Sequence, residues 1–211
     1  MTFVDFSKSY TFSKFFELNI ESDDLVADFG YSFARKWLNL PQSQQPLARI
    51  EELRSRISEI LPFVNLSTEM ARREILISRV LTELVYYTKA QLRIEYPLKV
   101  SEQLQGTLDY LLLANKQLLV IEAKKEDLVK GMTQLAVELI TLDHWLDDPN
   151  DDNSNLLGAV TTGTLWQFAQ LNRHSKHISQ GLESFRVPED LDPLLRILVY
   201  ALKGSNSTNT T

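Results

Sequence analysis

Residues 106–125, GTLDYLLLANKQLLVIEAKK, set Asp109, Glu122 and Lys124 into an otherwise apolar run. Asparagine tolerates the positive φ of a tight hairpin, so a two-residue turn at Asn115 and Lys116 is predicted. That turn puts Asp109 directly opposite Glu122, and directly opposed side chains share a face with Cβ atoms roughly 5 Å apart. Lys124, two residues beyond Glu122, returns to the same face. Two carboxylates held that close in a greasy setting repel unless something compensates them. A divalent cation does so, and oxygen-only ligation by Asp109 and Glu122 points to Mg²⁺ or Mn²⁺. Such an ion acidifies a bound water and screens the charge that builds on a phosphodiester. Lys124 then holds the attacking water or neutralises the pentavalent phosphate. This chemistry uses no cysteine, histidine or serine nucleophile, in keeping with Cys 0 and His 3.

The elements that must position these residues are legible from periodicity. Residues 107–113 and 117–123 are strand-like and apolar at nearly every position, which predicts a central sheet covered on both faces. A further strand is expected over 91–96, two more over 156–161 and 165–171, and helices over 128–146 and 188–202. The strongest helical pattern runs over 68–87, with Met70, Ile77, Leu81 and Leu84 as its inner stripe. At 100° per residue, Glu74 falls inside that apolar arc. Upstream, 25–38 reads as a short helix stopped by Pro41, and 47–61 as another. The expected organisation is a helical N-terminal extension over 1–62, an α/β domain over 63–203 and a disordered tail over 204–211. The stretch DDPNDDNSN, 147–155, is a loop by composition.

Composition bounds the function classes. The chain has 211 residues, 44% hydrophobic and 24% charged, with a formal net charge of -6. That size supports one domain with an unstapled core. The acidic balance argues against a non-specific nucleic-acid coat but leaves room for a local basic cleft. No signal peptide or membrane span is evident, so a cytoplasmic protein with no membrane partner is the expectation. No Walker or dinucleotide motif occurs.

The order Glu74 on a helix, Asp109 on a strand, Glu122-Ala123-Lys124 on the next and Gln134 on the following helix resembles the PD-(D/E)XK, or restriction endonuclease-like, nuclease superfamily. The segment from about 68 to 171, including VIEAKKEDLVKGMTQLAVEL, looks most like the nuclease domain at the N-terminus of type I restriction enzyme R subunits. The resemblance implies a restriction endonuclease-like α/β sandwich with an αβββαβ core and a central mixed sheet flanked by helices. It implies Asp109 and Glu122 as metal ligands, Lys124 as catalytic lysine, Glu74 as an auxiliary acid and Gln134 as the residue orienting lysine or substrate. Glu69 and Glu83 compete with Glu74 for the helix role. Leu108 stands where the superfamily's name places a proline, and 211 residues leave no room for the helicase motor of R subunits.

The implied function is Mg²⁺-dependent hydrolysis of DNA in restriction, defence or repair, by a homodimer or with a defence-complex partner. A catalytically inactive module of the same fold, binding nucleic acid or a protein, is the alternative. A phosphatase or other small-molecule hydrolase could share the metal. Simpler readings stand beside each residue. Asp109 with Glu122-x-Lys124 could be a cross-strand salt bridge worth roughly 0.2–1 kcal/mol. Gln134 and Glu138, four apart, often make only a surface hydrogen bond. The basic segment from Arg173 to His177 reads as a solvated turn or a phosphate contact, and Trp166 with Phe168 as core packing.

Overall fold

The computed structural model describes residues 2–18, 20–114, 117–124, 127–146 and 155–204. The predicted turn at 115–116, the 147–154 part of the acidic loop and the tail beyond 204 lie outside the described residues. Chain order begins with α1 (Phe12–Glu17), α2 (Ser22–Asp28), β1 (Ser32–Lys36) and α3 (Ile50–Ile60). Helix α4 (Glu69–Arg72), a π-helical turn (Arg73–Ile77) and α5 (Ser78–Thr88) lead into an antiparallel meander. Its strands are β2 (Gln91–Lys99), β3 (Gln105–Ala114) and β4 (Gln117–Ala123). Helix α6 (Leu128–Trp145) crosses to β5 (Asn155–Thr161), which lies parallel to β4; β6 (Leu165–Asn172), β7 (His177–Arg186) and α7 (Leu191–Lys203) follow.

The seven strands form one mixed sheet in the order β1-β7-β6-β5-β4-β3-β2. Helices α1, α2 and α6 cover one face around Val120, Leu135, Leu139 and Val160. Helices α3, α5 and α7 cover the other around Leu81, Ile121, Trp166 and Leu195. Burial of β4 on both faces is why its sequence does not alternate. Edge position is why β2 tolerates Pro97, whose missing N–H costs nothing there. Trp166 and Phe168 are buried together in the core, as their spacing predicts. Among the described residues, no helix is long and apolar enough to cross a membrane.

Three local expectations are corrected. The helix predicted over 25–38 is two elements: Gly30, at φ +80°, reverses the chain so that the Tyr31 N–H returns to the Val26 carbonyl at 3.0 Å. Only glycine takes that conformation freely. The five residues of β1 then pair parallel with β7. Residues 1–62 are therefore more than helical: they supply helices to both faces and a strand to the sheet edge. Strand β7 has no alternating signature in the sequence, because Ile178, Ser179, Gln180 and Gly181 are all buried.

The third correction concerns 68–87. The Thr68 hydroxyl caps α4 by accepting the Ala71 N–H at 3.1 Å, and Ile77, Leu81 and Leu84 are fully buried as predicted. Met70, however, is 69% exposed, and Glu74 is exposed as well. A constant 100° step assumes an unbroken α-helix. The π-turn closes i→i+5 bonds, adds a residue and rotates the segment before it away from the stripe that follows.

Candidate active site

The β3–β4 ladder has the predicted register, with Ala114 opposite Gln117 and Tyr110 opposite Ile121. Regular pairing ends there, one step short of Asp109 and Glu122. On the other side, the β2–β3 pairing passes from Ile94–Tyr110 to Tyr96–Leu108, skipping Glu95, whose φ is +51°. Asp109 thus sits where the ladder opens on both flanks. Its side chain takes over a ladder bond: Oδ2 accepts the Ala123 N–H at 2.8 Å.

Glu122 is anchored at the carboxyl end of β4 and is only 2% exposed. The Lys124 N–H continues the parallel ladder by donating to the Thr161 carbonyl at 2.8 Å. The Lys124 ammonium lies 2.5 Å from Glu122 Oε1 and 4.7 Å from the centre of the Phe16 ring. Helix α6 completes the cluster. Its N-terminus is capped by Asp127, which accepts the Lys130 N–H at 2.9 Å. One turn in, Gly131 carries no side chain to hold the helix off, so α6 lies directly against Val160 of β5 and the Lys124 side chain.

From that position, Gln134 Nε2 donates to Glu122 Oε1 at 2.6 Å and to Glu138 Oε1 at 2.8 Å. Glu138 is fully buried. Among the described residues, Glu122 Oε2, Gln134 Oε1 and Glu138 Oε2 are buried oxygens with no hydrogen-bonding partner, and such groups are rare in folded proteins.

The electrostatics follow from burial. Burial first, and the charge of Asp109 second, push the Glu122 carboxyl up to about 7. Burial and then the charge of Glu122 raise Glu138 well above the usual glutamate range. Burial disfavours the Lys124 ammonium, but the charge and hydrogen bond of Glu122, then Asp109 and Glu138, outweigh it and hold its pKa above the ordinary value.

Glu122, Lys124 and Gln134 are thus brought into contact; Asp109 lies beside them, bonded to the Ala123 N–H and acting on Glu122 and Lys124 through its charge, and Glu74 stands apart. No hydrogen bond or ion pair among the described residues joins Glu74 to the other four; it lines a groove of about 390 Å³ with Arg73, Glu95 and Tyr110. Glu69 is half-buried. Glu83 is 3% exposed, but its ion pair is with Arg49 at 3.3 Å.

Two features escape the sequence reading. The Gln134–Glu138 pair, for which the sequence offers a surface hydrogen bond as the simpler alternative to a site role for Gln134, is buried, because every residue of α6 from Gly131 to Leu142 is buried. A helix with so little polar face leaves its polar side chains nowhere but inside, and the sequence does carry that signal. Arg73 has none. Its Nη1 lies 3.5 Å from Asp109 Oδ1, its Nη2 3.4 Å from Glu95, and its Nε donates to Tyr110 Oη at 3.2 Å. In the basic segment, Arg173 is held by Asp143 at 2.7 Å.

Among the described residues, no group of three or more histidine, cysteine, aspartate or glutamate side chains forms a ready metal cage. No family model matches the chain, and no curated protein matches it.

Proposed function

We propose that the protein is a metal-dependent nuclease of the restriction endonuclease-like class, hydrolysing DNA phosphodiester bonds in restriction, defence or repair. The observation that carries this reading is the meeting of Lys124, Glu122 and Gln134 at the end of β4, beside Asp109. The order α4–α5, β2, β3, β4, α6, β5 also agrees with the αβββαβ core of that class.

Mg²⁺ or Mn²⁺ fits the donor set, which is all oxygen and includes the buried Glu122 Oε2, without a partner among the described residues. Asp109 and Glu122 would hold it, with the remaining positions left to water and phosphate oxygens. When bound, the ion supplies an acidified water and screening of phosphate charge. Lys124 orients the attacking water or neutralises the phosphate, and Gln134 fixes the Glu122 carboxylate from behind.

Incubation of supercoiled plasmid with Mn²⁺ tests the reading. The wild type should nick or linearise it and Lys124→Ala should not; equal inactivity of both sinks the proposal. An inactive binding module is the second reading, favoured by the engagement of Asp109 with Arg73 and the Ala123 N–H.

A further inference from the structure

We propose that Arg73 is a phosphate-binding residue for the nucleic-acid strand, held on Asp109 until that strand arrives; this rests on the nuclease reading for its substrate. Arg73 opens the π-helical turn, a rare geometry that is frequent at functional sites. Its guanidinium lies over the Tyr110 ring, 5.1 Å from the centroid, and its side chain is 17% exposed. It lines the groove of about 390 Å³ and also contacts Asp109.

Its ionic contacts are loose. The distances to Asp109 and Glu95 are 3.5 and 3.4 Å, well beyond the 2.7–2.9 Å of a strong charge-assisted bond. A guanidinium offers five donors in a fork that suits phosphate oxygens, so a phosphate at the groove mouth offers Arg73 better geometry than Asp109 gives. Removing the Asp109 charge by substitution releases Arg73 toward that phosphate. The groove's other charges, Glu74 and Glu95, are both exposed and therefore screened by water.

A binding cycle in EDTA tests this with a labelled 20-nucleotide single strand and fluorescence anisotropy across salt. Arg73→Gln should weaken binding about tenfold and reduce the salt slope by about one unit, and Arg73→Lys should restore much of the loss. Asp109→Asn should bind more tightly than wild type, and that gain should vanish in the Asp109→Asn, Arg73→Gln double variant. Persistence of the gain without Arg73, or equal affinity of Arg73→Gln and wild type at matched folded fraction, overturns the proposal. So does absence of binding by every variant. Plasmid cleavage by the wild type, read separately with Mn²⁺, reports on the nuclease reading alone.

Discussion

Gln134 Nε2 donates to Glu122 Oε1 at 2.6 Å, tying the middle of helix α6 to the end of strand β4. The same nitrogen reaches Glu138 Oε1 at 2.8 Å. One amide thus fixes two carboxyls whose burial raises the affinity of both for protons, with the charge of Asp109 adding to it at Glu122 and the charge of Glu122 adding to it at Glu138.

Removing the cation from this cluster should be costly. Lys124 and Glu122 are 13% and 2% exposed as side chains, and breaking a buried pair from one end typically costs about 3–5 kcal/mol. Lys124→Ala should therefore lower stability by about that amount in urea denaturation at pH 7. A loss under about 1 kcal/mol would mean that water reaches Glu122 freely.

Stability should also depend on pH in a set direction. Glu122 and Glu138 both have folded pKa values above the ordinary 4.5. The folded state thus binds more protons, and stability falls as pH rises. The contribution is fully present below about 4.5 and is lost as pH climbs through about 7 for Glu122, while Glu138, raised in the same direction, adds a loss of the same sign. Glu138→Gln should flatten the decline between pH 5 and 8 seen by thermal denaturation. An equally steep decline in that variant would place the titration elsewhere.

The β3–β4 register, and with it the approach of Asp109 to Glu122, was legible because turn length fixes pairing. Gln134 was legible only through its order in the chain. Glu74 was misplaced because helical periodicity carries no sign of a π-turn. Strand β7 was hidden because a segment buried at consecutive positions does not alternate, and β1 because its five residues sat inside a helical pattern that Gly30 breaks. Arg73 owes its position to the π-turn and to the open ladder at Glu95, neither of which has a residue pattern of its own.

Close approach of α6 to the sheet yields another test. A Cβ at Gly131 would lie 2.7 Å from Val160 Cγ1 and 2.9 Å from Lys124 Cγ. Overpacking costs about 1–3 kcal/mol, against a helix-propensity gain of about 1 kcal/mol from Gly→Ala. Gly131→Ala should be net destabilising and should displace Lys124, lowering any cleavage more than stability alone explains. A neutral or stabilising outcome in thermal denaturation would show that α6 shifts without strain.

Metal binding separates Asp109 from Glu74. An ion that binds only the folded state at 100 times its Kd adds about 2.7 kcal/mol of stability, so Mg²⁺ or Mn²⁺ should raise the wild-type Tm. Asp109→Asn should abolish most of that rise, because it removes a charged ligand. Glu74→Gln should leave it nearly intact and change stability by less than about 0.5 kcal/mol, since Glu74 is exposed and, among the described residues, makes no ion pair with the cluster. Loss of the metal-dependent rise in Glu74→Gln would bring the π-turn acid back into the site through a rearrangement on binding. An unchanged rise in Asp109→Asn would remove Asp109 from the ligand set.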